Sequence, residues 1–158
     1  MRVIKADDYQ TWFIEEDGFG VLIDPWLDKK LNPESSVLLQ RERQETSSLS
    51  QKEFDQVKVV IVTAPFIDHL HIPSIKKLNN KVKIITTKKV RKILIKNQID
   101  NPIACIDNQI IEIGPFKLSV FPAGFPYSWS AFCFFLENAA GKTIFHEGHK
   151  ANFRNLKR

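Results

Sequence analysis

Two short clusters in this 158-residue chain hold side chains that can coordinate a metal ion or carry a proton: Asp68, His69 and His71 in TAPFIDHLHIP, and His146, Glu147 and His149 in TIFHEGH. Carboxylates mixed with imidazoles suit a divalent transition metal, zinc above all, or acid–base work near neutral pH. Glu147 is a candidate general base or further ligand, and His71 a candidate proton carrier. An Asp-His-Leu-His string is also a common kind of polar loop, so residue types alone leave the chemistry open.

Each cluster follows a strand pattern. The run VVIV ahead of the first is β-branched and apolar, as expected of a strand buried on both faces, and it stops at Thr63, Ala64 and Pro65. Open α/β sheets gather their reacting groups at such strand ends. Upstream, residues 1–4 and 11–15 read as strands, and Asp17-Gly18 turns the second into a hairpin with 20–23. Pro73 opens a short helix to residue 78, 82–86 is the next strand, and Thr87 caps a helix over 88–97. Alternating strands and helices imply parallel neighbours. Strands then follow one another at 103–106, 110–113, 117–122, 131–136 and 143–145. Residues 27–53 form a long polar loop inside a single domain spanning 1–158, its 41–51 stretch the most mobile.

The order GVLIDPWL, VVIVT, a loop ending in Asp68-His69 and a late glycine turn resembles the metallo-β-lactamase superfamily. Within it, the likeness is to the stand-alone, ascorbate-6-phosphate lactonase-like branch. The resemblance implies an α/β fold, an αββα sandwich, here incomplete: an N-terminal half made of a mixed sheet with flanking helices. It also implies a hydrolase acting on an ester, lactone or phosphoester. The family's His-x-His-x-Asp-His loop falls on Ala64, Pro65, Phe66, Ile67, Asp68 and His69, and another of its histidines falls near Gly124. The first metal position therefore lacks its ligands. For the second position Asp68 and His69 remain, and His149 stands where the family has an aspartate. One ion at most is implied, zinc or another divalent transition metal, held by Asp68, His69 and His149 with Asp24 supporting the loop from behind. Glu147 or His71 would handle protons. The competing reading is a non-catalytic binding or assembly module with no metal, for which Ala64, Phe66 and Gly124 argue.

The net charge is +5, much of it lysine on the helix over 88–97, where Val90, Ile93 and Leu94 share the other face. That is the pattern of a solvated face, and no aromatics interleave with the charge as nucleic-acid binding would require. Cys105 and Cys133 form no Cys-x-x-Cys pair and sit in apolar runs, so both are expected reduced and buried. No signal peptide or membrane-spanning run is visible, and a cytoplasmic protein is expected. A small-molecule substrate is the expected partner if the site is active, together with a second copy of the chain to cover apolar surface an incomplete sandwich leaves bare.

Overall fold

In the computed structural model, which describes residues 1–31, 41–42, 47–100 and 102–153, two β-sheets lie face to face and helices cover the outer side of the first. The elements run β1 (Arg2–Lys5), β2 (Trp12–Glu16), β3 (Phe19–Ile23), β4 (Lys30–Leu31), β5 (Arg41–Glu42), α1 (Gln51–Gln56), β6 (Val57–Val62), α2 (Ile72–Lys76), β7 (Lys83–Thr86) and α3 (Lys88–Lys96). They continue with β8 (Ile103–Ala104), β9 (Ile110–Ile113), β10 (Phe116–Pro122), β11 (Phe132–Asn138) and β12 (Thr143–His146).

The first sheet has the order β1-β2-β3-β6-β7-β8. Its opening three strands form an antiparallel meander, and β3, β6, β7 and β8 are parallel. Asp17 and Gly18 both take positive φ at the hairpin, which matches a tight turn to the right-handed twist of its strands. Along β6 the alternation of a strand divides the core. Val59 and Ile61 face the second sheet, while Val60 and Val62 face Ile75 of α2 and Val90 and Leu94 of α3. Thr87 caps α3 as expected, its side chain accepting from the Val90 N–H. The lysines of α3 remain on its outer side.

The second sheet, β12-β11-β10-β9, is antiparallel and sends Phe116, Leu118, Val120, Phe132, Phe134 and Leu136 inward against β3, β6 and β7. The mixed sheet with flanking helices is thus present, with a second sheet packed on it. On the outer face of that second sheet, the rings of Phe121, Phe135, Phe145 and Phe153 form a row with centroid spacings of 5.7, 5.0 and 6.2 Å.

The segment read as one polar loop over 27–53 contains more order than its composition suggests. β4 pairs with β5, and α1 begins at Gln51 behind a reciprocal Ser50–Glu53 capping box. Leu49 is buried against the helix side of the first sheet. Residues 32–40 and 43–46 of that segment lie outside the described residues. No described helix is long and apolar enough to cross a membrane.

Both cysteines are free thiols and buried, and burial pushes the Cys105 thiol up to about 12. The Cys133 thiol is raised by burial as well. Since the thiolate is the reactive form, neither should react with an aromatic disulfide reagent at pH ~8 in the folded protein. Both should titrate once denaturant is added, and absorbance at the thiol-release band reads the difference.

Candidate functional site

Strands β3 and β6 are parallel neighbours, and each ends in a polar residue: Asp24 after Ile23, and Thr63 after Val62. Asp24 takes φ 45°, so its backbone turns away from the sheet while its N–H still donates to Ile61 O at 2.9 Å. Its carboxylate accepts from the Thr63 N–H at 2.7 Å and from the Thr63 hydroxyl at 2.6 Å. His69 completes the group, with Nδ1 2.8 Å from Asp24 Oδ2 and 3.0 Å from Thr63 Oγ1. All three side chains are buried. A carboxylate can only accept, so Nδ1 of His69 carries the proton and Nε2 is directed away from Asp24. One helical turn, closed by Leu70 N donating to Phe66 O, brings His69 into place.

Nε2 of His69 faces Nδ1 of His149 at 3.3 Å and Oδ2 of Asp68 at 3.8 Å. His149 comes from the other sheet, on the turn that follows β12, where Gly148 takes φ 64°. The sheets are joined close by, Phe132 N donating to Thr63 O at 3.1 Å. Asp68 Oδ2 accepts from the Tyr9 hydroxyl at 3.3 Å and from the Gln10 amide at 3.2 Å. Burial by itself would lower the His69 pKa. The hydrogen bond to Asp24, with the charges of Asp24 and Asp68, outweighs burial and raises it above the ordinary value.

The structure thus brings Asp68, His69 and His149 to one place and sets Asp24 behind His69. His71 and Glu147 have other surroundings. Nδ1 of His71 lies 2.6 Å from the Ser74 hydroxyl, which also accepts from the Leu27 N–H, and its ring faces Trp26 at the start of α2. Glu147 is exposed on the rim of the cleft, and its Oε1 accepts from the Ala151 N–H. His146, the first histidine of the second cluster, is held by its neighbours. It stacks on Phe134, accepts the Gly148 N–H at 3.1 Å, and is held below its usual pKa by burial.

Tyr9 and Gln10 were not singled out from the sequence. They are single polar residues in a turn, with no spacing relation to Asp68, and only the pairing of β1, β2 and β3 carries them to it.

Metal binding can be tested against this geometry. For two ions the residues do not fit. Ala64 and Phe66, where the resemblance puts histidines, belong to an apolar cluster with Ala123, Ala131 and Tyr127. Gly124 lies beneath the backbone of Ala151, whose oxygen would be 3.2 Å from any Cβ there. For one ion the fit is partial. A tetrahedral ion with bonds of about 2.0–2.1 Å separates two imidazole nitrogens by roughly 3.3–3.4 Å, and the His69–His149 separation is 3.3 Å. Among the described residues, however, no three His, Cys, Asp or Glu side chains are gathered closely enough to form a complete cage. The Phe66 ring packs on His149, with centroids 4.6 Å apart, and is not among the residues lining the neighbouring cleft.

An open cleft of about 520 Å³ adjoins the donors, running between the free edges of the two sheets past Asp68, His69, His146, Glu147 and His149.

Comparison with known proteins gives a consistent answer on the fold. The sequence matches none of the curated proteins by direct search. A possible metal-dependent hydrolase from Veillonella parvula superposes with a TM-score of 0.66 at 21% identity, over 89% of this chain and 60% of that one. An isothiocyanate hydrolase from Delia radicum gut bacteria gives 0.68 at 16% identity, over 96% of this chain and 64% of that one. The metallo-β-lactamase fold protein YhfI from Bacillus subtilis gives 0.58 at 14% identity, over 88% and 54%. The chain therefore spans less than two thirds of the length of these relatives. The profile described as the Beta-lactamase superfamily domain matches residues 4–157, so the chain belongs to the β-lactamase superfamily and has the metallo-β-lactamase fold of its hydrolase-like members.

Proposed function

We propose that the chain carries a reduced, one-ion hydrolase site in which His69 and His149, with Asp68, hold a single divalent transition metal and act on an ester, lactone or phosphoester. The observation that carries this reading is the line from Asp24 to His69 to His149. A buried carboxylate fixes the His69 tautomer and directs its unprotonated nitrogen at a second imidazole, which lies within hydrogen-bond distance and at a spacing that two ligands of one ion also adopt. When bound, such an ion would polarise the scissile carbonyl or phosphoryl and acidify a water. The chain's own groups orient and shield: Tyr9 and Gln10 hold Asp68, and Phe66 and Tyr127 keep solvent from one side of His149.

A second reading, a metal-free binding or assembly module, is favoured by the apolar cluster of Ala64, Ala123, Ala131, Phe66 and Tyr127. Metal content of protein purified without added metal separates the two. The hydrolase reading expects zinc, iron or manganese approaching one ion per chain, lost in His149→Ala and in Asp68→Asn. Metal-free protein that also takes up none on dialysis against zinc establishes the second reading. A cytosolic location and self-association belong to the same proposal. The free thiols support the first, and the aromatic row on the second sheet supports the second.

A further inference from the structure

We infer that the edge of the sandwich carrying α3 and β8 is a docking surface for an anionic lipid bilayer, with lysines set against the headgroups and Trp129 and neighbouring isoleucines entering the interface. This surface lies away from the imidazole pair and does not depend on how that pair is read.

Charge is segregated along the chain. Residues 69–99 hold nine lysines and arginines and no aspartate or glutamate, so the rest of the chain is net negative. All nine are exposed, and among the described residues Lys77 is the one of them in an ion pair, with Asp28. Five of the nine lie in α3. There Lys88, Lys92 and Ile95 follow one another at i, i+4 and i+7 along the outermost line of the helix, over about 10 Å. Ile95 stands half exposed among these cations.

No aromatic ring is interleaved with this charge in the sequence, but the fold supplies one. Trp129 is 95% exposed and shares a surface groove of about 270 Å³ with Lys88 and with the exposed Ile106. Ile103 is exposed on β8, the last strand of the first sheet, and Arg91 ties α3 to it by donating to Pro102 O at 3.0 Å. Three isoleucines and a tryptophan thus stand in water beside the most basic helix. Asp107 lines the same groove and Asp100 follows the helix, and against the five cations of α3 these two carboxylates leave the edge positive.

The combination of charge and apolar surface selects the occupant. A second copy meeting this edge about a twofold axis would set the cations of α3 against themselves. A nucleic acid would satisfy the lysines, yet Ile95, Ile103 and Ile106 offer its bases no π-face to stack on. An anionic bilayer meets both needs. Each lysine near its surface strengthens partitioning about fivefold, the isoleucines reach the acyl boundary, and the ring and N–H of a tryptophan suit the headgroup level. Eight of the nine cations are lysine, a point charge suited to diffuse headgroup charge rather than to bidentate contact with a fixed phosphate. With this edge docked, the cleft between β1 and β12, at the other end of the first sheet, stays open to water.

Flotation of the full chain with vesicles of phosphatidylcholine, with and without about 30% phosphatidylserine, tests this. Binding to the anionic vesicles is expected, about tenfold or more weaker on the neutral ones, and about tenfold weaker again when salt is raised from ~0.1 to ~0.5 M. Lys88→Gln combined with Lys92→Gln should lower partitioning about 25-fold, and Trp129→Ala about tenfold. These side chains are exposed, so the variants should unfold at the same denaturant concentration as the parent. Lys142→Gln, in the turn between β11 and β12, is the control and should leave partitioning unchanged. The blue shift of tryptophan fluorescence on binding should vanish in Trp129→Phe. Equal binding to both vesicle types, binding to neither, or variants that partition like the parent overturn the inference. Tighter binding to a generic duplex RNA than to the anionic vesicles overturns it in favour of a nucleic-acid face.

Discussion

Asp24→Ala should lower the free energy of unfolding by about 3–5 kcal/mol, the range for breaking a buried ion pair on one side. The carboxylate accepts from the Thr63 N–H, the Thr63 hydroxyl and His69 Nδ1, all buried, and the substitution strips the Thr63 N–H of this acceptor and leaves the Thr63 hydroxyl and His69 Nδ1 with only each other in place of a shared carboxylate. Against a total of about 5–15 kcal/mol for an ordinary domain, the variant should be close to unfolding at room temperature, and urea denaturation followed by tryptophan fluorescence measures it. Asp24→Asn separates stability from chemistry. Its amide oxygen can still accept from the Thr63 N–H, and asparagine tolerates the positive φ at this position. Its NH₂, however, now donates toward His69, so Nδ1 becomes the acceptor and Nε2 takes the proton. That nitrogen is the one facing His149. The expected result is a fold that survives and metal affinity reduced about 10- to 100-fold. Unchanged affinity in Asp24→Asn would remove the tautomer from the account.

Gly148→Ala is the second large effect. The glycine has φ 64°, and a Cβ built on it would lie 2.2 Å from the Phe132 carbonyl oxygen, a backbone atom with nowhere to retreat because Phe132 N is bonded to Thr63 across the sheets. The turn must move, and His149 moves with it. Positive φ at a non-glycine residue costs about 1–3 kcal/mol, and the overlap adds to this, so a loss of about 3 kcal/mol or more is expected. Gly141→Ala is the matched control. Its φ is 75°, and nothing lies within 4 Å of its would-be Cβ, so it isolates the dihedral contribution and should cost about 1 kcal/mol. Denaturation curves for both variants, with metal content for Gly148→Ala, measure the stability loss and the displacement of His149. Equal losses in the two would mean that the Phe132 contact carries no weight.

Much of the fold can be read from local pattern because local physics sets it. The apolar run of β6, buried on both faces, the Asp17-Gly18 hairpin and the Thr87 cap each depend on residues close in sequence. The Ser50–Glu53 capping box was equally local, but the polar residues around it obscured a six-residue helix with no fully buried side chain. How the two sheets face each other was not legible from periodicity, since nothing in the strands after Ile103 says which of their faces meets Val59 and Ile61. At the site, Asp68 and His69 sit together by adjacency, while His149 was placed beside them only by resemblance. His71 looked equivalent to His69 on residue type. Pro73 starts a helix directly after it, however, and Ser74 takes its ring nitrogen, so the same sequence that offers a third donor turns it aside. Tyr9 and Gln10 became visible only once β1 and β2 had been laid beside β3.

The Phe132–Thr63 hydrogen bond has a further consequence. His69 is anchored in one sheet and His149 in the other, so the gap between their nitrogens reports how far the two halves of the sandwich stand apart. That bond rivets the halves within a few residues of both imidazoles. Anything that loosens the rivet acts on the imidazole pair as a wedge, so the stiffness of the whole sandwich sets the tolerance to which the pair of nitrogens is held.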